Sequence, residues 1–254
     1  MVASRLPSLS GFPMDVRLAL LKAVRSKFTL GYGTAAVLVS VGMATLQVVL
    51  GQSPARSDVS DALLRALSIC PVLLFLLGAA LGAGDLRNGM IGPLLVARPS
   101  RVRWVAAQTL ATMALGMFVF AVAVAMSCAG VWLLAAGSQG HGGHLELLPL
   151  AARLLPAAGF VAGAAAVGAL SAIAAGDHVA VSVMALVWYF VLEVLLASAV
   201  PQSKAFLPGT LVETAFGIAG PGGGASGWGV VGAAYLCLAA AVAVSRFTLR
   251  DVRA

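Results

Sequence analysis

Charge is scarce in this chain. Of its 254 residues, 10% are Asp, Glu, Lys or Arg, against about 25% in a soluble globular domain. With 61% apolar residues and a mean hydropathy of +1.01, this excludes an ordinary water-soluble fold. Lysine is scarce too, limited to Lys22, Lys27 and Lys204. None of them sits in a G-x-x-x-x-G-K-[ST] loop, so the chain carries no P-loop ATPase of its own. H-E-x-x-H and G-x-S-x-G are missing too, and no inward pair of carboxylates is visible. There are three cysteines, an odd number without metal spacing. Cys70, Cys128 and Cys237 all sit in apolar runs and read as small buried residues rather than bridges or ligands. Alternation of period two is absent, which argues against a membrane barrel. The first long apolar run starts near Thr29, too late and too long for a signal peptide, so it is expected to be retained.

What remains is a succession of apolar runs of about 20 residues, the length that crosses hydrocarbon as a helix. They predict an all-α membrane protein with six spans at residues 29–50, 62–82, 105–136, 156–175, 179–199 and 228–245. Residues 1–28 form a segment that precedes the six-span region at 29–245, and 246–254 form a tail. Within the first segment, Met14, Leu18, Leu21, Val24 and Phe28 recur at helical spacing with basic residues in other directions. That pattern predicts an interfacial amphipathic helix over residues 14–28. Pro71 falls inside span two and is expected to kink it. Gly78 and Gly82, four apart, give a weak small-xxx-small packing signal, as do Gly159 and Gly163 in span four. Span three is longer than one crossing needs. Residues 147–155 read as a short outer helix before span four. Gly176, Asp177 and His178 make a minimal turn, and residues 201–227 an outer segment that is partly irregular.

The net charge of +7 raises the possibility of nucleic acid, but its distribution favours membrane orientation. With both termini in the cytoplasm, twelve cationic residues lie inside: Arg5, Arg17, Lys22, Arg25, Lys27, Arg87, Arg98, Arg101, Arg103, Arg246, Arg250 and Arg253. Only Arg56, Arg65, Arg153 and Lys204 lie outside. This bias is what positive-inside retention produces, and it places the chain as a multi-pass protein of the cell membrane with no nucleic-acid partner.

Few side chains offer chemistry. His141 and His144 form an incomplete metal pair in a glycine-rich outer loop, where a solvated loop is the plainer reading. Asp177 and His178 read as a helix cap or surface pair rather than a proton relay. Glu193 is the one acid well inside a span, and burying it is costly unless it is paired or hydrated. It would line a substrate path or pair with Arg65 or Arg153. The longest mixed interruption, Gly84 to Trp104, carries Asp85, Arg87, Gly89, Leu94, Leu95, Pro99, Arg101 and Arg103. It is long enough for a short amphipathic helix and lies on the cytoplasmic side.

This strip resembles the inter-span motif of ABC-2 type transporter permeases: an acid, a base, a glycine, two leucines, then proline, a small residue and arginine. Asp85 stands for the usual glutamate, Met90 for threonine, and Gln108 where many members carry lysine. Arg87, Gly89, Leu94, Leu95, Pro99, Ser100 and Arg101 match. The basic lead-in helix, Glu193 followed by Pro201 and Phe206–Pro208, and the Arg250–Asp251 ending are similar as well. The resemblance implies a half-transporter that exports an amphipathic solute (drug, peptide or lipid-like). It implies pairing with itself or a related permease, in the lipid membrane, and docking of residues 85–97 as a coupling helix on a separate ABC ATPase subunit. ATP and Mg would be held by that ATPase, leaving no cofactor in this chain. The substrate path would follow the outer halves of spans two and five and the dimer seam. A membrane-embedded enzyme and a non-catalytic scaffold or immunity protein stay open as alternatives.

Overall fold

The computed structural model describes residues 12–50, 56–87, 101–137, 147–218 and 228–249. Regular structure among them is entirely helical: α1 Phe12–Val24, α2 Lys27–Leu50, α3 Arg56–Leu67, α4 Cys70–Arg87, α5 Arg101–Gly137, α6 Leu147–Ala175 and α7 His178–Val187. A π-helical turn, Trp188–Leu192, joins α7 to α8, Glu193–Ala199. A 3₁₀ turn, Pro201–Phe206, leads to α9, Pro208–Ala215, and α10, Trp228–Leu249, follows. Six stretches are long and apolar enough to cross a membrane: Lys27–Gln47, Val59–Gly84, Arg101–Leu134, Leu150–Ala175, His178–Ala199 and Gly229–Arg246. The chain is a helical protein of the multi-pass membrane type. Its spans alternate in direction, so the bundle has an Asp177 end and a Glu193 end.

The tightest seam joins spans two and four. A Cβ on Gly78 would overlap the carbonyl oxygen of Ala165, one on Gly82 that of Ala169, and one on Gly168 that of Phe75. In lipid, where apolar burial gives helices little reason to meet, this backbone approach is what supplies dispersion contact. The Gly78 and Gly82 spacing thus serves packing within the chain. Gln108, buried on span three, donates from Nε2 to the Leu81 carbonyl at 3.1 Å and ties span three to the same seam. Span five leans on spans two and four and span six on span four from outside, and only 6% of each is buried, against 72% of span two.

Two boundaries differ from the sequence reading, and one expected kink is a full break. The amphipathic helix ends at Val24 rather than at Phe28, because Ser26 interrupts it. The Ser26 Oγ accepts from the Phe28 amide at 3.3 Å, starting span one afresh as an N-cap does. Span four has no separate outer helix before it: α6 runs from Leu147 straight through Pro156. A proline lacks the amide that would bond the Ala152 carbonyl, yet packing on both neighbours holds the helix. Span two behaves as expected for a proline, and more sharply. Its helix stops at Leu67, turns through Ser68 and Ile69, and restarts at Cys70, one residue before Pro71. The cysteines also divide: Cys70 is buried against Ser40, 3.1 Å away, whereas Cys237 is exposed on α10. An apolar residue facing lipid needs no protein cover, so an apolar run in the sequence does not imply burial in the bundle.

Candidate functional site: an apolar cavity and its polar rim

The two ends of the bundle carry different polar groups. At the Asp177 end, α1 lies against the first turns of span three. Asp15, 8% exposed, accepts from Arg103 Nε at 2.5 Å. Its neighbour toward the bundle is Ala23, while Met14, Leu18 and Leu21 point outward, 46–55% exposed. At 100° per residue the outward stripe is flanked by Arg17 and Lys22, both exposed. Apolar side chains and cations thus share the exposed surface of α1. Asp15 is the residue that sequence patterning passed over. Only its partner, 88 positions along, gives it meaning. Replacing Asp15 with Ala is expected to cost about 2 kcal/mol, less than a fully enclosed pair because Arg103 is 24% exposed. The reciprocal swap, Asp15→Arg with Arg103→Asp, should recover most of it in thermal unfolding.

The turn at this end follows expectation for one residue and not for the other. Gly176 takes φ +79°, a backbone state that costs glycine nothing. Asp177 caps α7 by accepting from the Val179 amide at 2.8 Å. His178 is no surface partner to it. It is buried, with its ring edge-on to Phe28 at 5.4 Å between centroids. The strip's first residues, Asp85 to Arg87, are the last turn of α4, and Arg101 opens α5. Gly89, Leu94, Leu95 and Pro99 fall outside the described residues, as do His141 and His144.

At the other end, Glu193 is 8% exposed while Val194, Leu195 and Leu196 beside it face outward. This inverted pattern, acid inward and aliphatics outward, is what a lipid surround selects. The arginines expected to pair with it are placed otherwise: Arg153 bonds Asp61 at 2.5 Å on the surface. Glu193 Oε1 accepts from the Gly209 amide at 2.5 Å, at the second residue of α9. The carboxylate thereby caps a helix that has no side-chain cap of its own, where the backbone dipole favours a negative charge. The π-helical turn ahead of Glu193 matters here. Its extra residue rotates everything downstream by about 100° relative to a regular helix. No sequence pattern announces that shift. Glu193→Ala is expected to weaken α9 by about 1–2 kcal/mol. Hydrogen exchange of the amides over 209–215 should quicken accordingly, and Glu193→Gln should restore part of the protection.

Helix α9 matters because of what it covers. Leu211 and Val212 turn inward, and Phe216 after it is fully buried, edge-on to Phe120 at 6.0 Å. Pro208, Leu211 and Val212 close one end of a cavity of about 540 Å³. Spans two, four, five and six supply its walls, among them Phe75, Gly163, Trp188 and Leu236. No charged residue lines it, and its side-chain hydroxyls are those of Ser171, Tyr189 and Tyr235. Tyr235 spends its hydroxyl on the Phe206 carbonyl at 3.2 Å, which straps the outer segment to span six. Size and lining match a site for an apolar or amphipathic molecule. It touches the outer half of span two, where the sequence reading looked for a path, but on span five it follows the half nearer Asp177, Val181 to Tyr189, and spans four and six contribute as much. Among the described residues no three His, Cys, Asp or Glu side chains gather as a metal site would need.

Models of known protein families and curated protein sequences were both compared with this chain, and none matches it.

Proposed function

We propose that the chain is the membrane-spanning half of an ATP-driven exporter of the ABC-2 type, moving an amphipathic solute outward across the cell membrane. The observation that carries this reading is the attachment of the Asp85–Arg103 strip. Its two ends are continuous with the helices of spans two and three, so a push on the strip is delivered to both spans without an intervening hinge in the described chain. Arg103 also holds Asp15, which links α1 to the same point. The arginine asymmetry favours a cytoplasmic position for this end, where an ATPase would meet the strip, and the exposed apolar stripe of α1 suits an elbow helix at that surface. The cavity reaches from Val181 and Ser171, near this end, to Pro208 and Leu211 at the opposite one, where a solute would leave. Two copies, or one with a relative, would complete the transporter, with ATP and Mg on the partner subunits.

Sidedness tests the reading first. With Cys237 replaced, a cysteine at Ser100 is expected to escape an impermeant maleimide in intact cells and to react in inverted vesicles. The native complex, gently purified, should bring an ATPase with it. Labelling of Ser100→Cys from outside, or a complex without ATPase, would sink the proposal and favour a scaffold.

A further inference from the structure

The cavity is long for its volume. Along span four it runs from Gly159 to Ser171, about 18 Å of helix at 1.5 Å per residue. Its volume of about 540 Å³ then gives a mean cross-section of about 30 Å² over that length. That is a slot for a chain rather than a chamber for a compact solute. Its length also matches one leaflet of hydrocarbon, about 15 Å deep. Water is a poor filling, because a buried water needs two to four polar partners and the side chains along this slot offer only the Trp188 indole N–H and three hydroxyls, one already bonded. The slot has a side opening: span five packs on spans two and four, span six packs on span four, and the two barely touch each other. Glycines keep it clear. A Cβ on Gly159, Gly163 or Gly232 would meet nothing, unlike the seam glycines Gly78 and Gly168.

We propose that this slot seats one acyl chain of a bilayer lipid, admitted sideways between spans five and six, with α9 as the stop at its closed end. The inference needs the bundle to be in a membrane and does not depend on an ATPase, so it survives or fails separately from the transporter reading.

The test uses the full-length protein in nanodiscs containing a phospholipid with a diazirine on a palmitoyl chain, followed by peptide mapping after photolysis. Crosslinks should concentrate on Val181–Tyr189 and Gly232–Leu236. The double variant Gly163→Leu/Gly232→Leu fills the slot without a backbone clash. Because excluding even two methylenes is worth about tenfold in occupancy, those crosslinks should fall about tenfold or more. Gly42→Leu, equally free of clashes but on span one, should leave them unchanged. If the double variant does not fold, competition on the wild type decides: unlabelled palmitoyl lipid should suppress the crosslinks while a butyryl lipid should not. Crosslinks spread evenly over all outward helix faces, or equal in wild type and filled variant, would overturn the proposal. So would suppression by a compact soluble aromatic but not by long-chain lipid.

Discussion

Gly168→Leu and Gly78→Leu are each expected to leave no folded protein to purify. At either position the first added carbon already overlaps a carbonyl oxygen of the opposing helix, of Phe75 or Ala165. A backbone atom cannot swing aside as a side chain can, so spans two and four must separate. Overpacking of an ordinary core costs about 1–3 kcal/mol. Here the cost is greater, because separation also loosens contacts along the whole seam and pulls Gln108 from the Leu81 carbonyl. Against a total stability of about 5–15 kcal/mol, a loss of several is decisive. Size exclusion in mild detergent and thermal unfolding would show it. Gly163→Leu, on span four but facing the cavity, supplies the contrast and is expected to keep the wild-type profile. Equal behaviour of Gly163→Leu and Gly168→Leu would mean that the spans do not meet as described.

If the proposed transporter reading holds, replacing Leu94 and Leu95 together by Asp is expected to lower affinity for the ATPase subunit by about a hundredfold or more. Two central apolar anchors typically carry about 2 kcal/mol each, and every 1.4 kcal/mol is tenfold. Charges placed in the groove they would fill add desolvation on top. Arg101→Ala should cost less, about tenfold, since on that reading it would fix register rather than fill a pocket. Titration of the purified ATPase against nanodisc-held protein measures both, and stimulated ATP hydrolysis should fall in step. The variants should still show wild-type thermal unfolding. If ATPase binding were untouched, residues 85–97 would not be the docking element.

The sequence made the spans legible because lipid demands long apolar helices, and composition records that demand directly. Helix starts were harder. Ser26 and Pro156 look alike as punctuation, yet Ser26 stops a helix through its own hydroxyl and Pro156 does not, because neighbouring spans hold α6 straight through it. Glycine spacing at 78 and 82 announced a close approach but not its target, since the facing atoms are backbone oxygens that any residue presents. Glu193 stood out as an acid in hydrocarbon, and an arginine was the natural partner to look for. Its actual partner is the amide of Gly209, a group with no side-chain signature, reached only after the π-helical turn resets the helix. Asp15 was invisible for the same kind of reason: a single acid in a basic helix acquires its role from a residue far along the chain. The cavity is defined by what spans four, five and six omit, and an omission shared between helices leaves no motif in any one of them.

Helix α5 runs for 37 residues without a proline, about 55 Å from tip to tip at 1.5 Å per residue, while the hydrocarbon layer is only about 30 Å thick. A rod that overshoots its medium so far turns angle into distance. Pivoting by a single degree about one tip sweeps the other through an arc of about 1 Å, so small rocking near Arg101 becomes a readable displacement on the far side of the layer.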